Sequence, residues 1–330
     1  MFDRENKNGA GIIIGAGISG LIAADNLKAA GINCLVLDKG RSAGGRLATR
    51  ERGNLRFDHG AQAISAESSE FSTVLDKWNS LGILRPTDYK NLRGYGDNRT
   101  GYYSVKKGMA ELPRFLAGNL DVKTSCRVIQ LYRKNRMWGV KTSDNEEFST
   151  DFIILTLPVP QSLELLGQSD IELPGEIHED LTKVEYERCI ALMIKGYVNE
   201  KYSDVAYIYP EEGPLSLIVN NHIKGVSDYT GALTVHSNPD FSLKSWNLPD
   251  AELIDIILKE ATRYLHGPYD VLKIHRWRYS RAINSHPLPY LIINKPGLLA
   301  FAGDGFFGRD IEGAVLSGLG VSGEIISILN

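Results

Sequence analysis

The sequence predicts an α/β fold, a Rossmann-type domain accompanied by a smaller α+β domain built on a mixed sheet. Three observations predict it. Residues 10–14 (AGIII), 18–30 and 32–37 (INCLVL) read as a buried strand, a helix with apolar Leu21, Ile22, Ala24 and Leu27, and a second buried strand, which together make a β-α-β unit. From about residue 166 to 272 the pattern changes to longer, mixed strands. The last 30 residues return to the first style, with a buried strand (LLAFAG) and a glycine-rich helix from about 311, so the first domain is expected to be discontinuous.

A chain of 330 residues is long enough to bury two cores. The expected boundaries are 1–70, 105–165 and 273–330 for the Rossmann-type domain, and 71–104 with 166–272 for the second. Strand signals at 121–132, 136–142 and 148–157, the last ending at the breakers Pro158 and Pro160, extend the first domain. In the second, strands are expected at 186–198, 205–209, 215–220 and 231–236. A helix follows near 250–265, bounded by Pro249, Gly267 and Pro268, with His266 at its C-terminus.

Lys and Arg number 37 against 40 Asp and Glu, so the net charge of -3 supplies no overall field for nucleic acid. The first ten residues are polar and the apolar run after them is broken by glycines. That excludes a secretory core or membrane span there and leads to the expectation of a cytoplasmic protein. Cys34, Cys126 and Cys189 are scattered without metal-ligand spacing, so neither a disulfide framework nor a metal site is expected.

The motif Gly15-Ala16-Gly17-Ile18-Ser19-Gly20 is GxGxxG set directly after a strand and opening a helix, the context that dinucleotide binding requires. Gly15 serves the tight turn, Gly17 the approach of a pyrophosphate, and Gly20 the close packing of helix on strand, while the free N–H groups of the helix start face the phosphates. Asp38 ends the second strand, eighteen residues beyond Gly20, where a carboxylate accepts from the ribose hydroxyls. Beyond it, Gly44 and Gly45 permit close backbone approach, and Arg46 suits a bidentate phosphate contact. Lys39 belongs to the same basic stretch, in which Arg41, Arg50, Arg52 and Arg56 read as a solvated face.

The run from Val36 through Asp38, Lys39, Gly44, Gly45 and Arg46 to Thr49 resembles the amine-oxidase-like superfamily of flavoproteins, in which an acid, a short basic loop and GGR contact FAD. Phe57-Asp58-His59-Gly60-Ala61-Gln62 resembles the D-x-G-A-Q segment with which these proteins line the isoalloxazine ring. Phe301-Ala302-Gly303-Asp304-Gly305, followed by Asp310-Ile311-Glu312-Gly313-Ala314, resembles their closing motif. The resemblance implies non-covalent FAD held by residues 15–20, Asp38, Lys39, Gly44, Gly45, Arg46, Gly60, Ala61, Gln62, Val128, Gly303, Asp304 and Ile311. It also points the C-terminal helix at flavin N1 and C2=O, where reduction leaves negative charge. Asp310 suits an N-cap and Glu312 a first turn, so both side chains read as structural.

Among members of that superfamily, the chain resembles in length the renalase-like FAD-dependent oxidoreductases of bacterial type. Three segments add to this: 57–62, the stretch from Pro214-Leu215-Ser216 through Leu233-Thr234-Val235-His236 to Phe241-Ser242, and His275-Arg276-Trp277-Arg278-Tyr279. It departs from their pattern at Asn221-His222 and at Phe306-Phe307-Gly308-Arg309. The resemblance implies oxidation of dihydro isomers of NAD(P)H by hydride transfer to flavin N5, with dioxygen as electron acceptor. Such chemistry asks for stacking and orientation of two rings rather than for a base.

Candidate substrate-site residues on this resemblance are His59, Gln62, His236, Trp277 and Arg278. Four of them have a structural alternative: backbone-satisfied histidines for His59 and His236, core packing for Trp277, and an exposed strand charge for Arg278. Two other readings stay open, an amine oxidase or desaturase of the same superfamily, and an FAD-binding protein without turnover.

Overall fold

The computed structural model describes residues 10–87, 100–295, 297–308 and 310–330, so Arg309 and the polar residues 1–9 lie outside it. The chain divides into two compact units, one of residues 1–45, 113–185 and 282–330, the other of 46–112 and 186–281.

The first unit is built on a six-stranded sheet in the order Leu291–Ile293, Leu299–Phe301, Phe152–Leu155, Ala10–Ile14, Asn33–Leu37, Asp121–Lys123. All neighbours are parallel except the outermost pair, Leu291–Ile293 with Leu299–Phe301, and Ile12 sits in register between Leu35 and Ile153. Ile12, Ile13, Val36, Leu37, Ile153 and Ile154 are all buried, the unbroken apolar runs expected of parallel strands covered on both faces. Helix Ile18–Ala29 packs against the C-terminal helix Ile311–Leu329 so closely that a Cβ on Gly318 would stand 2.5 Å from the carbonyl oxygen of Ser19. That C-terminal helix is 19 residues long and apolar enough to cross a bilayer. Its buried Ala314, Val315, Val321 and Ile325 are instead core residues of this unit.

Two expected long strands are each split. The run 121–132 divides into Asp121–Lys123 and Val128–Lys134, because Ser125 and Cys126 turn aside to donate their N–H groups to Gly40 and Asp38. The run 148–157 divides at Asp151 into a strand of a three-stranded antiparallel sheet and a strand of the main sheet.

The second unit carries a five-stranded sheet in the order Tyr207–Ile208, Leu215–Asn220, Ala232–Ser237, Glu185–Val198, Leu265–Asn284. Helix Asp250–Ala261 covers one face, with Leu253 and Ile257 against Ile190, Leu192, Ile218 and Val235. The helix stops at Ala261, short of the expected 265, and His266 falls in the following strand. That strand runs on through Gly267 and Pro268, which read as breakers. It lies at the sheet edge, where proline is tolerated within a strand.

Residues 46–70, expected with the Rossmann-type domain, cluster with the second unit instead. Their hairpin, Thr49–Arg52 with Leu55–Asp58, buries Leu55 and Phe57 against Met193 and Ala232 on the uncovered sheet face. Residues 166–185, expected with the second domain, fall in the first unit.

Candidate active site

In the first unit the glycine turn has the geometry of an anion cradle. Gly15 has φ +113° and donates its N–H to Leu37 O at 2.8 Å, a backbone region that side-chain-bearing residues rarely enter. A Cβ on Gly20 would lie 2.1 Å from the Gly15 carbonyl oxygen, so only glycine lets the helix approach the strand. Around Gly17, by contrast, a Cβ would meet nothing within 4 Å. Gly17 is the N-cap of helix Ile18–Ala29, which has no side-chain cap and no acid in its first turn. Unsatisfied N–H groups beside open space suit a phosphate.

Asp38 faces this turn, with Oδ2 accepting from Ala16 N–H at 2.7 Å and Oδ1 from Gly40 N–H at 2.6 Å. Gly44, φ +126°, donates its N–H to Ala16 O at 2.8 Å, and Gly45, φ +55°, brings its Cα side to the Cα of Gly17. Lys39 turns outward to Gln161. Val128 is half-buried at the start of its strand. Gly303, φ +137°, donates to Ser317 Oγ, and Asp304 beside it is buried. Asp310 caps the C-terminal helix, accepting from the N–H groups of Glu312 and Gly313, while Ile311 is half-buried.

The second unit gathers most of the remaining candidates around the turn 58–62. Asp58 and Lys224 form an ion pair at 2.7 Å with neither side chain exposed. Asp58 Oδ1 also accepts from Thr49 Oγ1 at 2.5 Å and Met109 N–H at 2.9 Å, and Asp58 N–H donates to Asn221 Oδ1. Lys224 Nζ donates a second time, to Gln62 Oε1 at 2.7 Å. Both hydrogens of the Gln62 amide are spent on the carbonyls of Asp58 and Gly60. Burial pushes the Lys224 ammonium below its ordinary range, and the Asp58 charge opposes that shift.

The carbonyl of His59 accepts twice, from Trp277 Nε1–H at 2.7 Å and from His236 Nε2 at 3.2 Å. A carbonyl has no proton to give, so His236 carries its hydrogen on Nε2 and keeps Nδ1 as an acceptor. Burial holds His236 down to about 4, with the Lys224 charge adding to the shift and the His59 backbone opposing it. His59 is pushed lower, to about 3, by burial and then by His275, Arg50 and His236. Its Nδ1 is buried without a partner among the described residues. Rings of His59 and His275 meet edge-on at 5.1 Å, and His275 lies 4.2 Å from Trp277.

Gly60 lets the turn close, since a Cβ there would stand 2.0 Å from the Arg46 carbonyl oxygen, to which Ala61 N–H donates. The Arg46 guanidinium, expected at a phosphate, donates to Ser280 O and lies over the Tyr186 ring. Arg278 is not brought to the cluster. It is exposed, and strand alternation places it with Arg276 rather than with Trp277.

Sequence reasoning missed Lys224, Asn221 and His275, and assigned Asp58 no role of its own. Nothing in the spacing marks Lys224, which stands in the polar stretch NNHIKG and becomes a buried charge only because that turn folds over Asp58. Asn221-His222 does stand out as a departure from the renalase-like pattern, and it marks this same turn.

The chain resembles known proteins in both sequence and fold. An NAD(P)-binding Rossmann-like domain matches residues 13–78, and the family described as flavin containing amine oxidoreductase matches residues 80–326. Mouse (Mus musculus) renalase is 24% identical over 331 residues, covering 94% of this chain and 96% of its own. A protein from Exiguobacterium sp. 255-15, provisionally assigned as a protoporphyrinogen oxidase, shares the fold with TM-score 0.73 at 13% identity, covering 97% of this chain and 99% of its own. Putrescine oxidase bound to putrescine does so with TM-score 0.70 at 14% identity and the same coverage. The cofactor of this family is FAD, and the residues present fit it: an uncapped helix start, open space at Gly17, and a carboxylate anchored at the glycine turn. The chain belongs to the flavin-containing amine oxidoreductases and is a renalase-like, FAD-dependent oxidoreductase of that superfamily.

Proposed function

We propose that the protein is an oxidase of dihydronicotinamide dinucleotide isomers, returning them to NAD(P)+ with dioxygen as the electron acceptor. FAD, when bound, supplies the two-electron acceptor for a hydride. The observation that carries the reading is the state of the buried imidazoles beside Trp277. His59 and His236 are both held neutral far below neutral pH, and His236 donates its only hydrogen to the His59 carbonyl. Buried as they are, these side chains hold Trp277 and the 58–62 backbone in a fixed arrangement and are not suited to take up a proton. Hydride loss from a dihydropyridine asks for no more than that. Renalase likeness over nearly the whole chain supports the same substrate class.

One observation bears on the amine-oxidase alternative. Tyr186 and Tyr279 are paired aromatic rings, but their centroids are 5.5 Å apart at 77°. That is edge-to-face contact, with no slot between the rings for an alkylammonium group.

Anaerobic stopped-flow mixing of the purified holoprotein with 2-, 4- and 6-dihydronicotinamide dinucleotides and with putrescine tests the proposal. Loss of flavin absorbance is expected to be much faster with the 2- or 6-isomers than with 4-dihydro-NADH or the amine. Fast reduction by the amine with uniformly slow reduction by all three isomers overturns the substrate class.

A further inference from the structure

We infer that Lys224 is a positioning residue for segment 58–62, setting the orientation of the Gln62 amide and thereby the backbone face presented by Gly60 and Ala61. The two ends of a carboxamide are nearly identical in size, so packing alone does not choose between its two orientations. Here the choice is made by hydrogen bonds: an ammonium can only donate, so Oε1 must face Lys224, and Nε2 is thereby aimed at the carbonyls of Asp58 and Gly60. The turn that carries Lys224 grips the segment a second time, through Asn221 Oδ1, which accepts from Asp58 N–H at 3.0 Å.

Stability does not account for a lysine in this place. Removing an ammonium from water costs several kcal/mol, and well-packed apolar residues of similar volume usually serve a core as well or better than a buried ion pair. What the pair supplies is one conformation of one turn. Asp58 anchors it to the hairpin through Thr49 and to Met109, and Lys224 transmits that anchorage to Gln62. The inference rests on the assignment of Gly60 and Ala61 to the ring face of FAD, and is independent of which substrate is oxidised.

The test compares holoprotein from wild type, the Lys224→Met/Asp58→Asn double variant, Gln62→Leu and Ala61→Val. Three quantities are read for each: melting temperature, release of FAD on graded dilution, and the shape of the long-wavelength flavin absorption band. The double variant removes both buried charges together and is expected to stay folded, melting somewhat below wild type because Gln62 Oε1 loses its donor, and to show an altered band and roughly tenfold or more weaker FAD retention. Gln62→Leu is expected to do the same with the ion pair intact; if the double variant does not fold, Lys224→Met alone takes its place, and a wild-type band and FAD retention there overturn the role of Lys224. An altered band in Ala61→Val together with wild-type bands and FAD retention in the other two overturns the role of Lys224 alone. Wild-type bands and retention in all three overturn it along with the ring-face assignment.

Discussion

The indole N–H of Trp277 donates to the carbonyl of His59 across 2.7 Å, tying a strand residue to a turn 218 positions earlier in the chain. Trp277→Phe removes that donor together with part of the indole that packs on His59 and His275, leaving the carbonyl with the His236 N–H. Urea unfolding should show a loss of at least about 1 kcal/mol, the net worth of one hydrogen bond with the lost ring packing added to it, and flavin reduction by a dihydronicotinamide should slow. An unchanged midpoint and an unchanged rate would detach this bond from both stability and function.

Acid should destabilise the protein through its histidines. His236 and His59 fall to about 4 and about 3 in the folded state from an ordinary value of 6.5. Above 6.5 both states hold these rings neutral and stability is at its full value. Below it the unfolded chain takes up protons that the folded chain refuses, so stability falls as pH drops from 6.5 toward 4, and for His59 toward 3. The summed loss is several kcal/mol, and His236→Gln should flatten its own part of the slope. Melting temperatures of wild type and variant across this range measure it, and parallel curves would contradict the assignment.

Two glycines of one motif should respond oppositely. Gly20→Ala sets a methyl 2.1 Å from a backbone oxygen and should destabilise the protein by about 1–3 kcal/mol or more. Gly17→Ala meets no protein atom within 4 Å, so the variant should melt normally in the absence of FAD while binding FAD more weakly. Normal FAD affinity in Gly17→Ala would mean that the open space there is not the phosphate position.

FAD should leave the protein on acid precipitation with no peptide attached. Burial raises the thiols of Cys34 and Cys189 to about 12 and that of Cys126 above its usual value, leaving poor nucleophiles for the flavin methyl group. Yellow colour in the washed pellet would show a covalent bond.

The glycine turn and the acid beside it were legible in the sequence because their determinants are local. GxGxxG, the helix it opens and the acid after the next strand lie within 24 residues, and Gly15 and Gly20 answer conformational and steric demands of the turn itself. Strands such as 215–220 and the parallel core likewise follow from apolar runs that any neighbour would bury. Only the tertiary structure decided the rest. Lys224 lies more than 160 residues from both Asp58 and Gln62, yet the three share one hydrogen-bond network because the sheet returns the 221–227 turn to the hairpin. His236 acquires its tautomer from a carbonyl 177 positions away, and His275 joins the cluster through strand alternation that leaves Arg278 outside. A lysine in a polar stretch carries no mark of burial. Its environment is created by residues distant in sequence, and the desolvation that gives it consequence arises only once they have closed around it.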